Sequence, residues 1–241
     1  MSRRSLLVAV GILACLAIGV AGLLALMVRY EPGWYAAAGV PPGPERAQLS
    51  RDFLEAFSDL KGQIDNEPKW GGKFTALQLN AYFEEGLFEQ KLDADLLRGQ
   101  ISAPRVAFEQ DRVHLGFRYG KGLWSTIISV ALRVWVPQED SSAIVIELDS
   151  IQAGALPVAA QSVLEEVSRL LRERDIEINW YRHDGHPCAV LRFQTDPQRS
   201  PIQLTSIQSH AENEGELIIQ GRTNDATPTP PGPAPAEAPP R

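Results

Sequence analysis

The sequence predicts an α+β fold: an N-terminal transmembrane helix, then a meandering, mostly antiparallel curved sheet packed with about three helices. Three observations predict it. Residues 5–28 form one uncharged apolar run, apolar residues between 45 and 87 recur at the helical period of about 3.6, and from Ile101 onward they recur at the strand period of about 2.

The first run, "SLLVAVGILACLAIGVAGLLALMV", lies between Arg4 and Arg29. At about 1.5 Å per residue a helix of this length reaches roughly 36 Å, enough for a hydrocarbon core of about 30 Å. Arg3 and Arg4 flank it on the short side, and loops retained in the cytoplasm carry the excess of Lys and Arg. Residues 1–4 are therefore expected in the cytoplasm. The bulk of the chain is expected outside a cell membrane crossed once. The run exceeds the apolar region of about 7–15 residues in a cleaved signal peptide, so the small residues "YAAAGV" at 35–40 are not expected to be a cleavage site and the span is a signal-anchor. "ILAC" at 12–15 has the outline of a lipoprotein box, but Leu13 is bulky and the chain stays apolar beyond Cys15. The arginine pair in "SRRSLL" suggests twin-arginine export less well than a plain positive flank.

The whole chain has a formal net charge of −7; with Arg3 and Arg4 set aside, 21 basic residues face 30 acidic ones, a net charge near −9. Such a surface repels phosphate backbones and anionic head groups, which argues against a nucleic-acid partner. Cys15 falls in the span, leaving Cys188 alone in the exported part. The domain must therefore be stabilised by an ordinary core and not by an internal disulfide. The expected organisation is a cytoplasmic N-terminus at 1–4, an anchor at 5–28, a linker at 29–44 containing "PPGP", one extracytoplasmic domain at 45–222 and a disordered tail at 223–241. That tail, "TNDATPTPPGPAPAEAPPR", has nothing to bury.

Within the domain, "AQLSRDFLEAFSDLKGQI" places Leu49, Phe53, Phe57, Leu60 and Ile64 on one helical stripe. "TALQLNAYFEEGLF" opens with Thr75 and has Gln78 three residues on, a capping box that starts a second helix. "RVHLGFRY" then alternates, with Val113, Leu115, Phe117 and Tyr119 on one face and Arg112, His114 and Arg118 on the other. "WSTIISVALRVWV" continues, with Trp124, Ile128, Val130, Leu132, Val134 and Val136 as the expected core face. Ile144, Ile146 and Leu148 follow after a polar turn. Pro157 introduces a third helix carrying Ala160, Leu164, Val167 and Leu171. "DIEINWY", "CAVLRF", "IQLTSIQ" and "ELIIQG" are the closing strands.

The span, "FTALQLNAYFEEGL" at 74–87, the long hairpin, "IQAGALPVAAQSVLEEV" at 151–167 and the closing "LRFQTDPQRSPIQLTSIQSHAENEGELIIQG" together resemble the YpmS-like family of single-pass bacterial envelope proteins. That family has a helix, asparagine, aliphatic segment before its strands and a leucine-glycine-lysine-leucine-proline stretch where this chain has "AGALP", with Ala155 at the lysine position. The resemblance implies an envelope location and no catalytic residue.

The one stretch that invites a reactive reading is "HDGH" at 183–186, followed by Cys188. Asp-Gly between alternating runs is a two-residue hairpin signal, since both central positions need positive φ. His183, His186 and Cys188 supply at most three metal ligands, whereas a structural zinc site needs about four; the expectation is a turn, with no metal and no cofactor. Glu84 with Glu85, and Glu165 with Glu166, are sequence neighbours on helices and diverge by about 100°. Ser125, Ser129 and Ser162 lack a nucleophile-elbow setting, and no phosphate-binding glycine loop occurs. An enzyme is not expected. The second face of the long strand carries Leu123, Ile127, Ala131 and Trp135 among Ser125, Ser129 and Arg133. Two functions follow: a non-catalytic interaction or scaffold module of the envelope, or a module holding lipid or another apolar ligand against Ile127, Ala131 and Trp135. The partners are accordingly the membrane, and envelope proteins or lipid.

Overall fold

The computed structural model describes residues 3–87, 101–122, 125–138, 140–161, 164–165, 168–169, 178–192, 202–211 and 215–223. Helices α1 (Arg3–Val28), α2 (Gly33–Ala37) and α3 (Pro44–Asn66) come first, then β1 (Lys69–Thr75) and α4 (Ala76–Tyr82), which runs on as a π-helical turn over Phe83–Leu87. β2 (Ile101–Glu109), β3 (Arg112–Tyr119), β4 (Thr126–Trp135), β5 (Ala143–Ala153) and the short β6 (Leu156–Pro157) follow. After helical residues at 160–161, 164–165 and 168–169, with Val167 and Leu171 of the expected third helix outside the described residues, come β7 (Asn179–His183), β8 (His186–Arg192), β9 (Ile202–His210) and β10 (Glu216–Thr223). The chain is α+β, as its sequence predicts. Thr223, the first residue of the expected tail, is instead the last of β10, and the rest of that tail and the expected Trp124 and Leu123 contributions lie outside the described residues.

The strands form two antiparallel sheets. The larger runs β2-β3-β4-β5-β8-β7, with β6 pairing beside β5; the smaller runs β1-β10-β9. β1 was not legible as a strand because "KWGGKFT" has two central glycines and no sustained alternation. Its Gly72 is needed for contact, since a Cβ there would stand 3.1 Å from the Leu60 side chain. α3 lays its stripe on this small sheet: Leu60, Trp70, Phe74 and Leu204 form a buried cluster with Phe53, Ile64 and Ile219 around it. Val136, just past the end of β4, and Ile144 of β5 join the same cluster. The capping box is formed, with Gln78 N donating to Thr75 Oγ1 at 3.2 Å and Thr75 N donating to Gln78 Oε1 at 3.0 Å.

The first helical turn of α4 meets β2, where Ala76, Val106 and Phe108 are buried together. Here Asn80 Nδ2 donates to the Val106 carbonyl at 2.8 Å and the Val106 amide donates to Asn80 Oδ1 at 2.7 Å. One side-chain amide thus pairs with a backbone unit as a neighbouring strand would. Further along β2, Ala103 has φ of 48° beside Pro104 and the pairing with β3 shifts between Ser102 and Arg105. β2 is an edge strand, and both a bulge and a proline are tolerated there.

From Gly11 onward the apolar window of α1 is not buried against the rest of the described protein, and the helix is long and apolar enough to cross a membrane. Its last turn is fixed to the large sheet. Thr126 Oγ1 donates to the Val28 carbonyl at 2.6 Å, and Ala155 N donates to the Met27 carbonyl at 2.8 Å. These bonds satisfy carbonyls that a helix end otherwise leaves without partners. Gly154 between β5 and β6 has φ of 61°, and a Cβ on it would fall on the carbonyls of Met27 and Val28.

The segment expected as a linker is instead packed. Tyr35 of α2 is 0 % exposed, its hydroxyl donates to the Ala103 carbonyl at 2.6 Å, and Arg105 stacks over its ring at 4.5 Å while donating to its backbone carbonyl. Gly116 of β3 leaves the room this requires: a Cβ there would meet Trp34 at 2.7 Å and Tyr35 at 2.8 Å. This packing corrects the expected burial of β4. Ile127 is 2 % exposed and Ala131 7 % exposed, whereas the expected core residues Ile128, Val130, Leu132 and Val134 are half-buried. Sequence periodicity identifies two faces but not which one a distant aromatic pair will cover.

Candidate functional site

β4, β5, β8 and β7 bring a polar cluster onto the face that α2 covers at its other end. Cross-strand register dictates this: Arg133 pairs with Glu147, Glu147 with Cys188, and Cys188 with Tyr181. Side chains in one such row share a face of the sheet. The β4–β5 pairing slips between Ala131 and Leu132, leaving Asp149 as the unpaired residue of a bulge. Asp149 accordingly turns toward the same face. Its Oδ1 accepts from Arg133 Nη2 at 3.1 Å and its Oδ2 lies 3.2 Å from Arg112 Nη2.

Glu147 is the centre. Its side chain is 3 % exposed, with Oε1 at 3.2 Å from Arg133 Nη1. Burying a carboxylate without a counter-charge is very unfavourable, so Arg133 and the adjoining hydrogen-bond donors are what permit it. Arg133 is reciprocally held in its charged form, its pKa raised first by the Asp149 hydrogen bond and then by the Glu147 charge. Oε2 of Glu147 lies 3.3 Å from His183 Nδ1 and accepts from the Cys188 thiol at 3.8 Å. Cys188 is 0 % exposed; burial raises its pKa, and the neighbouring Glu147 charge adds to the effect. A buried, protonated thiol is a poor nucleophile.

The hairpin that presents the two histidines has its expected form. Asp184 has φ of 48° and Gly185 of 86°, and His183 pairs with His186 across them. The two imidazoles do not converge on one point. His183 groups with Glu147 and Cys188, and His186 with Glu147 and Asp149, each set having its donor atoms within 4.8 Å of one another. Both trios have the residue types that bind transition metals. Glu147 in the first set, and Glu147 with Asp149 in the second, come from β5, far in sequence from the hairpin.

The expected ligand residues divide. Ile127 and Ala131 are covered by the protein itself, with the Trp34 side chain packed on the same face. Trp135 is half-buried and its ring centroid stands 6.1 Å from that of His183, at the border of the polar cluster. The signal for Glu147 and Asp149 in the sequence is "IVIELDS", where acidic residues stand inside an otherwise apolar strand. Comparisons with protein-family models, curated proteins and solved structures found no match.

Proposed function

We propose that this is a single-pass, membrane-anchored protein whose folded domain sits on the extracytoplasmic surface and acts as a non-catalytic interaction module of the cell envelope. The observation that carries this reading is the joint between α1 and the large sheet, where Thr126 and Ala155 close the helix end. Glu31, just past the helix, adds an ion pair with Arg118 of β3 at 3.1 Å. A domain held in this way stands directly on the bilayer rather than on a long tether. The arginine pair before the span supports the orientation, and the pattern resemblance to YpmS-like envelope proteins supports the location. The non-catalytic character is supported by the full burial of Cys188 and near-full burial of Glu147, which keep the thiol and this carboxylate from a substrate.

A phosphatase joined after Arg222 should be active in an exporting bacterium, while a reporter active only in the cytoplasm should be silent at the same position. The opposite pair of results would overturn the orientation.

One observation favours a second reading, in which the domain holds lipid. Leu115 is 39 % exposed, and Phe117, Ile128, Val130, Leu132 and Val134 beside it are half-buried, making an apolar strip on the face opposite to α2. The ligand surface would then be this strip and not Ile127 with Ala131. Native mass spectrometry of the full chain separates the two readings: a bound lipid that is lost on Leu115→Glu supports the second, and a lipid-free protein supports the first.

A further inference from the structure

We propose that Glu147, His183 and Cys188 form a binding site for a zinc-class divalent cation, with Arg133 as the residue that positions the carboxylate. In a tetrahedral zinc site with ligand bonds of about 2.0–2.3 Å, neighbouring donor atoms stand roughly 3.4–3.6 Å apart. Glu147 Oε2 lies 3.3 Å from His183 Nδ1 and 3.8 Å from Cys188 Sγ, and the three donors lie within 4.8 Å of one another. An ion would draw the three donors in from this spacing onto one centre, with Glu147 Oε2 between the other two. His183 is the donor that is free to turn, since its side chain is 54 % exposed, and the same exposure opens the fourth coordination position to solvent.

The surroundings favour Oε2 as the point of attachment. Arg133 holds Oε1 of Glu147 at 3.2 Å, leaving the other oxygen directed at the histidine and the cysteine. A partner that fixes a ligating carboxylate in this way belongs to the second layer that tunes metal affinity. Glu147 is nevertheless weakly served at Oε2, whose two contacts among the described residues are long for a buried carboxylate. The competing trio of Glu147, Asp149 and His186 is less suited to an ion, because both oxygens of Asp149 already face arginines. Asp149 instead anchors Arg133.

The ligand types set the class of metal. Thiolate and imidazole favour zinc and its neighbours over calcium or magnesium, which take oxygen ligands. On binding, the Cys188 S–H bond breaks, the proton leaves to buffer and the sulfur–metal bond forms; with the Glu147 carboxylate this balances the charge of the dication. Sequence alone could not assemble this site, since Glu147 lies 36 residues before His183.

The test uses the full chain in detergent micelles, stripped of metal and titrated with cobalt(II), then with zinc(II) against a chromophoric chelator. One equivalent should bind, with a near-ultraviolet thiolate-to-cobalt charge-transfer band that disappears in Cys188→Ser. His183→Ala alters a half-exposed hairpin residue and should keep the far-ultraviolet circular dichroism of the parent while weakening zinc binding at least about tenfold. Arg133→Gln should weaken it by about 10–100-fold, the usual effect of removing a ligand's outer partner. Absence of binding, cobalt binding without the charge-transfer band, or unchanged zinc affinity in folded His183→Ala would each overturn the site.

Discussion

Ala155 donates its backbone amide to the carbonyl of Met27 at 2.8 Å, joining the turn between β5 and β6 to the last turn of α1. The joint depends on the residue before it, because Gly154 has φ of 61° and its missing Cβ is the space the helix end occupies. Gly154→Ala is therefore expected to cost about 1–3 kcal/mol through the strained backbone alone, and to displace the helix end. Trypsin cleavage at the exposed Arg29 should become faster in detergent. Parent-like cleavage together with a parent-like melting temperature would refute the joint.

Asn80→Ala should be strongly destabilising. Val106 is 1 % exposed, and the substitution leaves both its amide and its carbonyl without the partners they now have. Each buried group left unsatisfied costs about 1–3 kcal/mol. The loss is measurable as a lowered melting temperature of the full chain, and a shift close to zero would show that water replaces the side chain.

Ile127→Ala is expected to cost about 2–5 kcal/mol, the range for truncating a buried aliphatic residue. Leu132→Ala, on the half-buried face, should cost distinctly less. Denaturant titration of the two variants ranks them, and a larger loss at Leu132 would restore the assignment of faces that the sequence suggests.

Tyr35 provides a pH prediction. Burial raises its pKa above the ordinary 10.0, and the Arg105 charge only partly opposes this. The folded state thus holds the phenolic proton more tightly than the unfolded state. The stabilisation is fully present below the unfolded value and is lost as pH rises through the folded one. Tyr35→Phe should flatten the decline in stability above about pH 10, even though it removes the bond to Ala103. An unchanged alkaline limb would place the effect elsewhere.

The fold was largely legible because its elements are amphipathic and well punctuated. Thr75 with Gln78 marked α4, Asp184 with Gly185 marked the β7–β8 hairpin, and alternation marked β3 to β5. Two things escaped for the same reason. The cover that Trp34 and Tyr35 provide joins residues 68 or more positions apart, such as Tyr35 and Ala103, and the polar cluster joins Arg133, Glu147 and Cys188 through cross-strand register. Local periodicity carries neither the register nor the bulge that turns Asp149 onto the Glu147 side. The proline and alanine composition beyond Thr223 speaks only of sequence, as that stretch is outside the described residues.

Under the membrane anchoring proposed above, the pairing of Asn80 with Val106 also bears on how copies of this chain behave when crowded in a plane. Proteins anchored by one helix meet by lateral diffusion, and a sheet ending in open amides and carbonyls would template the next copy's strand at each encounter. At Val106 those groups are occupied from within the same chain, and a few residues earlier Pro104 lacks an amide and the bulge bends the strand away. β2 therefore ends the sheet instead of offering it for extension, so high surface density need not become polymerisation through this edge.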